Sequence, residues 1–356
     1  MQSLEDVELI LGNSGKNFSG VTSITIQLLS YQHKEINLAV LGSSFIPDEY
    51  RTINFFQFIK LTRNKLSNGK YRVFFTRRND EMIQGLIARY VFGSKIKIIF
   101  LSTAQRNHTK FTKWLISKMD SVISTSKKAA SYLVEEPDMI IPHGIDLKRF
   151  SKPINKEEAW KKLNLPGTFG IGIFGRVRYS KGTDILVDAA IKVLPSYPGV
   201  TVIINGETKL EDLPYKNKMV RKIKIANLED RIIFLGTKTF EELPNLFKGM
   251  TIVAALSRNE GYGLTPLEGM ASGAAVLTSS EGVWNEIIRD GIDGYVVNTG
   301  DIQDTAKKLD LLIKNSSKTK IMGENAAKYI SDNFSIEAEA KKLLDHIRHV
   351  QNNEIV

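Results

Sequence analysis

Short runs of β-branched and aliphatic residues alternate along the chain with stretches whose apolar positions recur every three or four residues. Runs at 7–11, 71–75, 96–101, 121–124, 170–174, 200–205, 231–235, 251–256 and 275–278 have the length and composition of buried strands. After the fifth of these, Ile185, Leu186, Ala189, Ala190 and Val193 fall on one face of a 3.6-residue period, which predicts an amphipathic helix. Strand–helix alternation over this length predicts an α/β protein with parallel sheets and ligands at the carboxyl ends of the strands. The alternation breaks across 142–166, where Pro142-His143-Gly144 leads into a polar, charged stretch. We therefore expect two doubly wound, Rossmann-like domains facing a cleft, residues 1–150 and 151–334. No repeat, heptad or low-complexity segment interrupts the pattern.

A chain of 356 residues accommodates two such domains, each with its own core. Hydrophobic and charged shares of 42% and 25% exclude a disordered or fibrous protein. The absence of cysteine removes disulfides, thiolate nucleophiles and cysteine-ligated zinc. The first eight residues are acidic where a secretory signal would be basic and then apolar. No apolar run approaches the roughly 20 residues of a spanning helix, so a cytoplasmic location is expected. Charge adds more. Residues 1–150 hold 21 basic against 13 acidic side chains, the remainder 28 against 26, and Arg51 to Lys118 hold 15 basic residues against only Asp80 and Glu81. Scattered lysines would read as a solvated surface, but a surplus this dense attracts anions such as phosphorylated lipid, anionic sugar or nucleic acid.

The segment Ser257-Arg-Asn-Glu-Gly-Tyr-Gly-Leu-Thr-Pro-Leu-Glu-Gly-Met-Ala-Ser-Gly273 follows a strand and opens a helix. Thr265 suits the N-cap, Pro266 the first helical position, and Glu268 completes a capping box. The turn Gly261-Tyr262-Gly263-Leu264 lets backbone amides approach a ligand, and the helix start favours a diphosphate. Glu260 is not needed for the cap, and beside an anion site its carboxylate suits sugar hydroxyls. Glu268 alone would read as a capping residue and nothing more. A second element, Phe174-Gly175-Arg176-Val-Arg178-Tyr-Ser-Lys181-Gly182, again lies between strand and helix, and Arg176 and Lys181 can neutralise a diphosphate leaving group. Gly20, after the first strand, has two readings: a backbone turn near the same ligand, or an ordinary loop glycine.

Gly175-Arg176…Lys181-Gly182 followed by Glu260-(seven residues)-Glu268 resembles the signature of the family 4 retaining glycosyltransferases of GT-B fold, and Pro142-His-Gly-Ile-Asp146 resembles that family's passage into its second domain. The resemblance covers essentially the whole chain. Ser19-Gly-Val-Thr-Ser23, Arg77-Arg-Asn79, Ala104-Gln-Arg106 with His108-Thr109, and Arg258-Asn-Glu-Gly are more narrowly similar to the lipopolysaccharide core mannosyltransferases of Gram-negative bacteria. These transfer mannose from GDP-mannose to the Kdo sugar on lipid A. The resemblance implies Arg176 and Lys181 on the diphosphate, Glu260 on the donor sugar, Glu268 on the ribose and the amides of Gly263, Leu264 and Thr265 on the phosphates. It also implies a final helix within 335–356 that packs back on the first domain.

Many family members carry a histidine directly after the strand matching 96–101. Here Ser102-Thr-Ala-Gln-Arg106 follows and the nearest histidine is His108, a candidate for the site or for a structural position. His33, His346 and His349 read as surface helix residues, and His143 as part of the interdomain segment. With no Asp-x-Asp and no ligand-spaced His/Asp/Glu cluster, neither a metal nor another cofactor is expected. No dedicated nucleophile is evident, and the family picture is front-face attack. The basic segment, with Arg77, Arg78, Arg106, Lys110 and Lys113, is assigned to the anionic lipid-linked acceptor or to the cytoplasmic face of the inner membrane. A sugar-nucleotide epimerase would need acid–base groups around a free sugar but no basic acceptor surface. A nucleic-acid-binding protein would explain the charge but not the phosphate motifs, and no nucleic-acid-binding motif is present.

Overall fold

All named strand pairings among the described residues are parallel, so both faces of each sheet must be covered by helices. The computed structural model describes residues 4–15, 20–104 and 106–352. Ser19 and Gln105, which belong to motifs quoted above, lie outside the described residues. The first sheet contains β1 Leu9–Gly12, β2 Leu38–Leu41, β3 Thr52–Ile53, β4 Arg72–Thr76, β5 Ile96–Ser102, β6 Ser121–Ser124 and β7 Met139–Ile140, in the order β3-β2-β1-β4-β5-β6-β7. The second contains β8 Phe169–Phe174, β9 Val200–Asn205, β10 Ile232–Gly236, β11 Ile252–Ala255, β12 Ala275–Ser279 and β13 Gly294–Val297, in the order β10-β9-β8-β11-β12-β13. Strand order reverses between β1 and β4 and between β8 and β11, the two places where such sheets open a ligand crevice.

Four strands lie outside the runs at which strands are expected. β2 is fully buried, but an apolar run of four cannot be told from a helix turn by its period. β3 and β7 are two-residue edge strands with no pattern to read, and β13 begins on a glycine at an edge of the second sheet. The helix predicted around Ile185 forms over Thr183–Val193, with Ile185, Leu186, Ala189, Ala190 and Val193 all buried.

In the second sheet the period of two sorts each strand's residues onto two cores. Ile252 and Ala254 join Ile185 and Leu186 on one side, while Val253 and Ala255 join Phe247, Leu267 and Trp284 on the other. Each large aliphatic side chain so buried contributes about 1.5–3 kcal/mol.

Contacts divide the chain into one unit of Met1–Gly144 with Ile336–Val356 and another of Ile145–Ser335. The division falls at Gly144, six residues before the boundary expected at 150. The helix Ile336–Asn352 packs on the helix Gly20–Gln32 and on β4 within the first unit. Its buried Glu339 fastens it there: one carboxylate oxygen pairs with His143 Nδ1 at 2.7 Å and the other accepts the Gly144 amide at 2.7 Å. His346, expected on the surface, is buried instead, with Nε2 2.7 Å from the Ser121 hydroxyl. A helix that covers a sheet has an inward face, and residue 346 falls on it. Glu339→Ala leaves a buried amide and a buried imidazole nitrogen without partners, and should lower stability by about 3 kcal/mol, with Glu339→Gln costing less. Urea unfolding of the two variants tests this, and an unchanged midpoint for the alanine variant would refute it.

Candidate functional site

The loops leaving β8 and β11 meet at the second sheet's reversal. After β8, Gly175 takes a φ of +121°, and a single turn over Tyr179–Lys181 ends at Gly182 with a φ of +69°. A Cβ on Gly182 would stand 1.9 Å from the Leu256 carbonyl oxygen, so only glycine lets the first loop lie against the end of β11. The Arg258 amide donates to the Ser180 carbonyl at 2.8 Å and fixes the register of the two loops. The consequence is a contact across 79 positions of sequence: Lys181 Nζ lies 2.5 Å from Glu260 Oε2. The same oxygen accepts the Ser257 hydroxyl at 3.1 Å, and Oε1 accepts the Gly261 amide at 3.2 Å. Both side chains of the pair keep partial exposure, 25% for Lys181 and 16% for Glu260, which leaves them open to a ligand. Arg176 is exposed and makes no hydrogen bond or ion pair among the described residues.

A brace that sequence reasoning missed holds this arrangement. Both prongs of Arg258 reach Asp184 at 2.8 Å, and the guanidinium stacks 3.9 Å over the Tyr179 ring. Tyr215 donates to Asp184 Oδ1 at 2.7 Å. Burial works to raise the Asp184 pKa, but the hydrogen bonds from Arg258 and Tyr215 outweigh it and hold the carboxyl below its usual range. Asp184 and Arg258 are 74 residues apart, and neither carries a local signal of the pairing.

Beyond Glu260 the chain turns at Gly263, whose φ is +79°, and Trp284 Nε1 donates to its carbonyl at 2.9 Å. A Cβ there would strike the Trp284 ring at 2.7 Å. The amides of Gly263, Leu264 and Thr265 make no hydrogen bond among the described residues and stand at the start of the helix Thr265–Ala271. The expected capping box is not formed. Thr265 is already helical, the N-cap position falls on Leu264, and no side chain caps the end. Glu268 is therefore not a capping partner. Burial pushes its pKa up to about 7, against a downward pull from Arg149. Arg149, not anticipated from sequence, donates through Nη2 to the Phe240 carbonyl at 2.6 Å, lies over the Phe240 ring and leaves Nη1 buried without a partner.

The remaining candidates belong to the first unit. Gly20 is the first residue of the helix Gly20–Gln32, with open space where a Cβ would stand, so no turn there requires glycine. Arg77 and Arg78 follow β4 at the first sheet's reversal, and their amides donate to Glu81 Oε2 at 2.7 and 3.2 Å. The Arg77 guanidinium is buried, and burial lowers its pKa. His108 lines a cavity of about 360 Å³ with Lys113, Ile116, Ser117, Asp120 and Leu133. Its Nε2 is buried without a partner, and burial, then Arg106 and Lys113, lower its pKa. Arg106 and Lys110 are exposed. Lys110 and Lys113 sit on the short helix Lys110–Ile116, whose Phe111 and Trp114 are also exposed and stack on each other at 6.0 Å.

Two doubly wound parallel sheets in one chain, one carrying phosphate-suited loops at its switch point, are the arrangement of the GT-B glycosyltransferases. The chain belongs to the group 1 glycosyl transferases. That family's model, "Glycosyl transferases group 1", matches residues 155–329. The chain is 38% identical over 347 residues to the lipopolysaccharide core biosynthesis mannosyltransferase LpcC of Rhizobium leguminosarum bv. viciae, with 96% of each chain covered. It is likewise 38% identical to the crystallised C-terminal domain of a glycosyl transferase group 1 family protein (LpcC) from Francisella tularensis, at a TM-score of 0.53 over 54% of this chain and 100% of that one. Anabaena Alr3699/HepE in complex with UDP shares the fold at a TM-score of 0.81 and 18% identity, over 96% of this chain and 100% of that one.

The raised Glu268 pKa gives a pH signature. An ordinary carboxyl at 4.5 in the unfolded chain and about 7 in the folded one makes the folded state the stronger proton binder between those values. Stability is thus unaffected by this group below about pH 4.5, falls as pH rises toward 7, and carries the full cost of about 3 kcal/mol above it. Glu268→Gln should be more stable than wild type at pH 8, with the advantage shrinking to nothing by pH 4.5. Thermal unfolding across that range tests the sign; a variant less stable at pH 8 would contradict it.

Proposed function

We propose that the protein is a retaining mannosyltransferase that moves mannose from GDP-mannose to the Kdo of the lipid A inner core without a metal. The meeting of Lys181 with Glu260 beside three unused backbone amides carries this reading, since it offers a cation, a hydroxyl-binding carboxylate and phosphate donors in one place. Arg176, Lys181 and the amides of Gly263 to Thr265 would take the charge that builds on the departing diphosphate. Glu260 would orient the mannose and Glu268 the ribose. The leaving phosphate oxygen would take the acceptor's proton, with attack from the donor's own face. The mannose and the lipopolysaccharide core acceptor rest on the LpcC relative, a lipopolysaccharide core biosynthesis mannosyltransferase. Among the described residues no group of three or more His, Asp or Glu side chains is placed to hold a metal.

For the acceptor side, Lys110 and Lys113 flank an exposed aromatic pair, a combination suited to an anionic bilayer surface. No helix among the described residues is long and apolar enough to cross a membrane, so such contact would be peripheral. Arg77, Arg78, Arg106 and His108 complete the proposed acceptor side.

Transfer from labelled GDP-mannose to Kdo-lipid A should proceed in excess EDTA and keep the donor's anomeric configuration. Glu260→Gln should cut turnover by about 100-fold or more with little change in melting temperature. Activity that needs magnesium or manganese, an inverted product, or a fully active Glu260→Gln would each overturn the corresponding part. Replacing Lys110 and Lys113 together by glutamine should raise the acceptor KM and weaken binding to anionic liposomes, more so at low salt, while leaving the donor KM unchanged. Equal weakening toward donor and acceptor would rule those two lysines out.

A further inference from the structure

Arg77 differs in kind from the exposed basic residues around it. Its Nε, Nη1 and Nη2 are all buried, and none has a hydrogen-bond partner among the described residues. A guanidinium brings five N–H donors out of water, and leaving them unmade costs far more than leaving one hydroxyl unmade. The face of the group stacks 4.9 Å from the Phe75 ring centroid, which uses no N–H and leaves the donors without partners.

The nearest carboxylates are engaged elsewhere. Glu81 Oε1 accepts the Ser14 amide at 3.2 Å and the Ser14 hydroxyl at 3.0 Å, and Oε2 accepts the amides of Arg77 and Arg78. A carboxylate has about four acceptor positions, and these four donors fill them. Gly12 is kept free of a side chain so that Glu81 can reach in, since a Cβ would meet its carboxyl carbon at 2.8 Å. Glu339, whose field also reaches Arg77, is held by His143 and Gly144. An internal carboxylate thus occupies the backbone donors at the end of β1 and β4, and the guanidinium remains over at the first sheet's switch point, where α/β sheets bind ligands.

We propose that Arg77 is an oxyanion-binding subsite of the first unit and takes one carboxylate of the acidic acceptor sugar through its planar donor edge. The assignment to the acceptor rests on the function proposed above. The geometry of the fork matches a carboxylate with two parallel hydrogen bonds. With the charges of Glu81 and Glu339 already acting on Arg77, a singly charged group fits better than a doubly charged phosphate.

Three arms test this with Arg77→Met and Arg77→Lys. In transfer assays with Kdo-lipid A, both variants should raise the acceptor KM by about 10- to 100-fold, with the donor KM unchanged. Carboxyl-reduced acceptor should show the high KM with wild type and variants alike, while dephosphorylated acceptor should keep the full difference between them. If the difference follows the phosphate instead, the carboxylate assignment is overturned. In thermal unfolding without acceptor, Arg77→Met should melt at or above the wild-type temperature, because it removes an unpartnered buried cation. A lower melting temperature with an unchanged acceptor KM makes Arg77 structural and overturns the proposal. Sodium acetate should raise the melting temperature of wild type more than that of Arg77→Met, and an equal response overturns the subsite. This last arm needs no turnover: failure of wild type to use any Kdo-bearing lipid sinks the functional reading, and the acetate comparison still decides the anion site.

Discussion

The close approach of Gly182 to the Leu256 carbonyl is the constraint on which the proposed donor site depends. Two loops whose sequences are 79 positions apart at their charged tips must lie backbone to backbone, and any side chain at 182 would hold them apart. The left-handed backbone at Gly182 lets the Tyr179–Lys181 turn end and the helix Thr183–Val193 begin without an intervening residue. The Arg258 amide and guanidinium then lock the pairing from the other loop, through Ser180 and Asp184. Lys181 and Glu260 meet because the backbone beneath them has no freedom to separate them.

The chemistry around that contact trades stability for readiness. Glu260 is held by three donors yet remains partly exposed, so a ligand hydroxyl can reach a carboxylate already oriented. Glu268 is desolvated with only the field of Arg149 to oppose the cost, and Arg77 carries an unpartnered guanidinium at the other unit's switch point. Groups of this sort are unfavourable in a protein that only has to fold, and they concentrate where ligands bind. Glu339 is the counter-example: it is more deeply buried, but both of its oxygens have partners, and its work is to fasten the returning helix.

Much of the fold was legible because strands buried on both faces read as near-continuous apolar runs, as at Ile252–Ala255 and 200–204. What escaped was either too short to carry a period, as with Thr52–Ile53, or determined by tertiary placement, as with the burial of His346. The two loops proposed to hold the donor were visible as glycines and charges next to strands, yet their local readings were uneven. The segment Thr265–Glu268 has the composition of a capping box, and the chain enters the helix one residue earlier, through Leu264. The Arg258–Asp184 brace and the isolation of Arg77 depend on which residues fill the neighbouring acceptors, a fact of three dimensions that spacing does not encode.

The most direct test is calorimetric titration of GDP into wild type and Gly182→Ala without added metal. A Cβ at 182 should push the Lys181 loop off the end of β11 and weaken GDP binding by at least about tenfold, the worth of one charge-assisted hydrogen bond. The hydrophobic cores of the second unit lie on either side of its sheet, so Gly182→Ala should still unfold cooperatively. Wild-type affinity in a folded Gly182→Ala protein would mean that the diphosphate is not held where the two loops meet.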